Sequence, residues 1–155
     1  MIYKKNFKNK YGKIFFENNI LNYDELLVIS DNVAKFIKEE RSLVFLLCDN
    51  NIETFTSYLG CVKNNAVILL LNSNISNDNL LNLINLYSPN YIILPNKKLF
   101  NKSNYIEISK FNTYLILKNS NLKKINLHDE LFLLINTSGT TGSSKLVKLT
   151  YNNEI

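Results

Sequence analysis

The chain has 155 residues, 46% hydrophobic and 20% charged, a composition that fits one folded domain and excludes a disordered chain. Its longest apolar runs, Leu43 to Cys48 and Ala66 to Leu71, are six residues each, far below the roughly 20 that a membrane-spanning helix needs. The net charge of +5 permits anion binding, but Arg41 is the one arginine among 18 cations, and the scattered lysines do not make a nucleic-acid surface.

In chain order, Met1 to Lys10 is a basic tail with Lys4, Lys5, Lys8 and Lys10, no apolar stretch of a signal peptide following it. Residues 13–22 read as a small hairpin, with Ile14 to Phe16 and Ile20-Leu21 joined by a turn at Glu17-Asn18-Asn19, since Asn tolerates positive φ. Leu26, Ile29, Val33, Phe36 and Ile37 recur at helical spacing and predict a helix from Tyr23 to Glu40, capped by Asn22 with Asp24 and Glu25 in its first turn. Leu43 to Cys48 is continuously apolar, as a parallel strand covered on both faces must be. A helix with Ile52, Phe55, Tyr58, Leu59 and Val62 on one face follows, then a second buried strand from Ala66 to Leu71. Ser76 caps a further helix that turns Leu80, Leu83, Ile84 and Tyr87 inward and stops at Ser88-Pro89; Tyr91 to Leu94 is a third strand. Short strands are expected at Tyr105 to Ile108 and Tyr114 to Leu117, an apolar strand at Leu131 to Asn136, and an alternating strand at Leu146 to Thr150. The alternation predicts an α/β fold: βαβ units forming a parallel sheet flanked by helices, with right-handed crossovers.

Chemistry concentrates between the last two strands, in Thr137-Ser138-Gly139-Thr140-Thr141-Gly142-Ser143-Ser144-Lys145. Gly139 and Gly142 let the backbone approach an anion closely, successive N–H groups can form an anion nest, the hydroxyls add donors and Lys145 adds a cation. Walker A is excluded, because two serines separate Gly142 from Lys145 and a strand follows; the Rossmann glycine pattern is absent.

Leu134 to Lys145 resembles the signature loop of the AMP-forming adenylate enzymes, a superfamily of acyl-CoA synthetases, nonribosomal peptide synthetase adenylation domains and luciferases. Leu21-Asn22-Tyr23-Asp24-Glu25-Leu26 is similar to that family's T-Y-x-E-L opening, and Cys48 to Glu53 to its segment after the first core strand. Lys63-Asn64-Asn65-Ala66-Val67 is similar to K-A-G-A-V with Asn65 for Gly, and Val147 to Asn153 to V-x-L-T-H-x-N with Tyr151 for His; Ser144 stands where most members have Pro. The resemblance implies that Thr137, Ser138, Gly139, Thr140, Thr141, Gly142 and Lys145 hold the β- and γ-phosphates of ATP, with Mg²⁺, while a carboxylic acid attacks the α-phosphorus; the acyl group then passes to a thiol of coenzyme A or a carrier protein. The family's downstream motifs (the aromatic/Thr-Glu segment, the ribose-binding Asp and the C-terminal domain with its catalytic Lys) have no counterpart here. Residues 11–155 are therefore expected to be a partial AMP-binding domain, an N-terminal fragment inactive alone. The alternative is a noncatalytic assembly module, one half of a split ligase that pairs with a separately encoded C-terminal portion.

The remaining polar candidates read as structural. His128, beside Asp129 and Glu130, reads as a surface turn residue. Asp49 reads as a loop or capping residue at a strand's carboxyl end. Cys48 and Cys61 read as reduced, buried thiols of a cytoplasmic protein.

Overall fold

In a computed structural model, the structure describes residues 12–16, 19–98, 100, 103–121, 125–137 and 145–151. The N-terminal hairpin pairs β1 (Lys13–Phe16) with β2 (Asn19–Asn22) from Lys13↔Asn22 to Phe16↔Asn19, so Asn19 belongs to the strand. Asn22 then caps α1 (Tyr23–Ala34) through a reciprocal capping box. Its Oδ1 accepts from Glu25 N at 2.9 Å, and its own N–H donates to the Glu25 carboxylate at 3.0 Å.

The helix expected to reach Glu40 ends at Ala34. Beyond it the chain tightens into i→i+3 turns, with Phe36 N bonded to Val33 O at 3.0 Å and Ile37 N to Ala34 O at 3.1 Å. The Asn64 amide also donates to the carbonyls of Ala34 and Ile37. Those last carbonyls are thus bonded from another element as well, which periodicity cannot announce.

A seven-stranded sheet in the order β6-β7-β5-β3-β4-β8-β9 forms the body. Its centre is parallel, as expected: β3 (Leu43–Cys48), β4 (Val67–Asn72), β5 (Tyr91–Pro95) and β8 (Leu131–Thr137). Its margins are antiparallel: β6 (Tyr105–Phe111) and β7 (Tyr114–Asn119) on one side, β9 (Lys145–Thr150) on the other. The sheet is thus mixed. The short turn at Asn112, with φ 47°, and the link from β8 to β9 reverse the chain as hairpins, whereas parallel neighbours need long crossovers.

Helix α3 (Asn77–Tyr87) covers one face with Leu80, Leu83 and Ile84 against Phe45, Leu47, Leu69 and Leu71. The other face carries Val33 and Ile37 from α1 and its following turn, and Cys61 from α2 (Ile52–Lys63), against Val44, Leu46, Ile68 and Ile93. The apolar face expected for α2 is only partly the buried one: Phe55 is 42% exposed, while Glu53, Thr56, Ser57, Gly60 and Cys61 are buried. This small and polar face lets α1 approach. A Cβ at Gly60 would lie 2.8 Å from Ser30 O and 2.9 Å from Val33 Cβ.

Candidate functional site

The four parallel strands end on one edge of the sheet. Cys48 pairs with Asn72, and two residues beyond the pair Leu70↔Ile135 stand Asn72 and Thr137. Cys48, Asn72 and Thr137 therefore line up across β3, β4 and β8. With strands about 4.8 Å apart, the end of β8 is about 10 Å from the end of β3. Open α/β sheets bind ligands at this carboxyl edge.

The expected phosphate loop opens here. Thr137 ends β8, Lys145 begins β9, and the two are partners in the antiparallel register. The backbone thus brings Thr137 and Lys145 together at the mouth of the segment. Ser138, Gly139, Thr140, Thr141 and Gly142 lie outside the described residues.

A second set of groups occupies the same edge. Helix α2 goes with the step from β3 to β4, whereas α3 precedes β5 on the far side of β3 and packs on the opposite face. The direction of winding reverses between β3 and β5, and Asp49 stands there. Its carboxylate accepts from Ser73 Oγ and lies 3.2 Å from Lys97 Nζ. The Ser73 bond, more than the lysine's charge, holds the carboxyl below its ordinary range against the opposing effect of burial. The Asp49 N–H points to Thr54 Oγ1 at 3.1 Å and Tyr114 Oη at 3.2 Å, and Tyr114 donates to Leu47 O at 3.0 Å. Lys98 Nζ donates to Ile75 O. The loops after β3, β4 and β5 are thereby knitted into one network, and Asp49 has the loop role expected of it. Ser73, Lys97 and Tyr114 escaped sequence reasoning. Their signal is register: each follows or opens a strand level with Asp49, which is visible only once the strands are aligned.

His128 also has a turn role: it is exposed, its Nδ1 faces Glu130 N at 3.4 Å, and its carbonyl accepts from Leu131 N at 2.9 Å. Burial pushes the Cys61 thiol up to about 12 and the Cys48 thiol to about 11, so neither is a thiolate near neutrality. Among the described residues no group of three or more His, Cys, Asp or Glu could hold a metal ion. No helix among them is long and apolar enough to cross a membrane.

The sequence profile of the family described as "AMP-binding enzyme" matches residues 4–155. The chain belongs to the AMP-binding enzyme family. Solved structures carry the same fold. O-succinylbenzoate coenzyme A synthetase from Bacillus subtilis, in complex with AMP, is 18% identical with a TM-score of 0.62, over 88% of this chain and 38% of that one. MenE from E. coli with bound OSB-AMS is 19% identical with a TM-score of 0.65, over 93% of this chain and 32% of that one. The N-terminal subdomain of NpsA from Klebsiella oxytoca is 17% identical with a TM-score of 0.60, over 88% of this chain and 37% of that one. This chain thus spans roughly a third of the length of each of these structures. No protein of curated function matches it.

Proposed function

We propose that this chain supplies the polyphosphate-holding part of an AMP-forming ligase, which activates a carboxylic acid with ATP to an acyl-adenylate for transfer to a thiol of coenzyme A or a carrier protein. The observation that carries the reading is the pairing Thr137↔Lys145, which sets both ends of the glycine–hydroxyl segment at the carboxyl edge of the parallel strands. Family membership supports it, as do solved structures of the same fold described with AMP or ATP bound. On this reading Thr137, Ser138, Gly139, Thr140, Thr141 and Gly142 surround the leaving phosphates, and Lys145 offsets their charge. Mg²⁺ would arrive on the polyphosphate, since it is commonly held through substrate phosphates.

Residues 11–155 would then form the opening part of the ligase's large domain and adenylate no acid alone. Calorimetry with magnesium pyrophosphate tests the loop: Lys145→Ala should weaken binding at least about tenfold, the scale of a lost charge-assisted bond. Equal binding by both proteins removes Lys145 from the role. Turnover by the chain alone in ATP–pyrophosphate exchange would refute its inactivity.

A second reading, half of a split ligase, is favoured by one feature. A groove of about 520 Å³ beside β8 and β9 is lined by Leu43, Tyr87, Leu127, Leu131, Leu134 and Leu146, an apolar surface suited to another protein segment. A separately encoded C-terminal portion should restore exchange activity when mixed with the chain. Failure of a purified candidate portion to bind would count against that pairing.

A further inference from the structure

Asn65 and Tyr151, two residues far apart in the sequence, touch each other. They are 86 residues apart, yet Tyr151 Oη donates to Asn65 Oδ1 at 2.9 Å. Asn65 keeps the left-handed conformation that a glycine would take, with φ 55°. Its side chain there accepts the bond from Tyr151.

The bond lies at the base of the β8–β9 hairpin, opposite the end that carries the glycine–hydroxyl segment. Tyr151 N donates to Glu130 O at 3.0 Å, and its ring stacks on Phe132 at 5.0 Å between centroids and 22° between planes. A second link is nearly symmetrical. Arg41 is also left-handed, at φ 58°, and donates from Nη1 to Leu131 O at 2.8 Å and from Nη2 to His128 O. Arg41 and Asn65 each stand two residues before a central strand, and those strands pair at Leu43↔Val67. Two adjacent turns therefore use the same backbone conformation to aim a side chain at the hairpin base. The hairpin needs such anchors. Among the described residues β9 pairs only with β8, and β8 meets β4 only from Ile68↔Leu133 to Leu70↔Ile135.

We infer that Asn65 and Tyr151 are a pair of positioning residues that, beside Arg41, clamp the β8–β9 hairpin to the parallel sheet and so hold Thr137 and Lys145, the flanks of the glycine–hydroxyl segment, at the sheet's carboxyl edge. The positioning part rests on the function proposed above; the clamp does not.

The test uses the full chain with Tyr151→Phe, which keeps the ring on Phe132, with Asn65→Gly, which relieves the backbone, and with both together. Each single variant should speed hydrogen exchange of the β9 amides bonded to β8 by about threefold to tenfold, the worth of one hydrogen bond, with β3 and β5 amides unchanged. The double variant should exchange no faster than the singles, because both remove the same bond. Magnesium pyrophosphate affinity should fall by a similar factor. Unchanged β9 exchange, an equal rise across β3 and β5, or additive effects in the double variant would overturn the clamp. Unchanged affinity with faster β9 exchange would overturn the positioning role alone. If the unsubstituted chain binds no pyrophosphate, the loop reading falls, and exchange still decides the clamp.

Discussion

The β3–β4 pair and the β8–β9 hairpin are held by different physics. Along β3, Leu43 is 2% exposed and Val44 through Leu47 are fully buried, with helices on both faces. Along the hairpin, Leu131, Leu133 and Leu134 are 6–8% exposed, Val147 is 43% exposed, and the base is tied by a bond from Arg41 to Leu131 O and one from Tyr151 to Asn65. Burial makes the centre stable without choosing any one contact. At the margin a few directional bonds decide the geometry, and Thr137 and Lys145, the flanks of the glycine–hydroxyl segment, belong to that margin. The centre serves as a scaffold and the edge as an aiming device.

The sharpest way to break this contrast is to cut both regions alike. Phe45→Ala should cost about 3–5 kcal/mol, the range for a large aromatic lost from a packed core. Val147→Ala should cost no more than about 0.5 kcal/mol, as at other exposed sites. Urea unfolding of the two variants checks this, and similar losses would show that the hairpin is core after all.

Gly60→Ala asks whether close packing extends to the helices. In an exposed helix this change gains about 1 kcal/mol. Here the new methyl meets Ser30 O and the Val33 side chain, so a loss of about 1–3 kcal/mol is expected in thermal unfolding. A gain would mean that α1 and α2 separate freely.

Acid sharpens the electrostatic side of the comparison. Asp49 is lowered from 3.8 by the Ser73 bond and by Lys97. For Glu39, burial pushes upward, but bonds from Lys118 and Tyr91 outweigh it and the net shift from 4.5 is downward. Both groups therefore bind protons more readily unfolded than folded. Their stabilisation is complete above the unfolded values and is lost as pH falls through the lower folded ones. Ser73→Ala should make the chain less sensitive to acid near Asp49's range, which denaturant titrations between about pH 5 and pH 2 would detect. An unchanged acid limb would show that the Asp49 network adds nothing to stability. The smallest effect, about 1 kcal/mol, is expected for Asn22→Ala at the α1 cap.

Much of this was legible in the residues. Continuous apolar runs announced β3, β4 and β5, and Asn22 and Ser76 announced the starts of α1 and α3, because caps and burial on both faces leave local marks. The end of α1 was not legible, since Asn64 donates to its last carbonyl from 30 residues away. The buried face of α2 was misjudged at Phe55, because small residues rather than apolar ones allow two helices to approach. At the candidate site, Thr137 and Lys145 were legible as the flanks of a glycine–hydroxyl segment. Ser73 and Lys97 were not, for they join Asp49 only through strand register.

The sequence by itself determined the α/β class, the order of strands and helices, and the chemistry of the segment from Thr137 to Lys145. Those depend on neighbours along the chain: periodicity, capping residues, and glycines among hydroxyls. Tertiary structure alone decided that the sheet's margins are antiparallel, that Asp49 meets Ser73 and Lys97, and that Asn65 meets Tyr151. These are contacts between residues far apart in the chain, and no local pattern encodes which strand ends come to lie side by side.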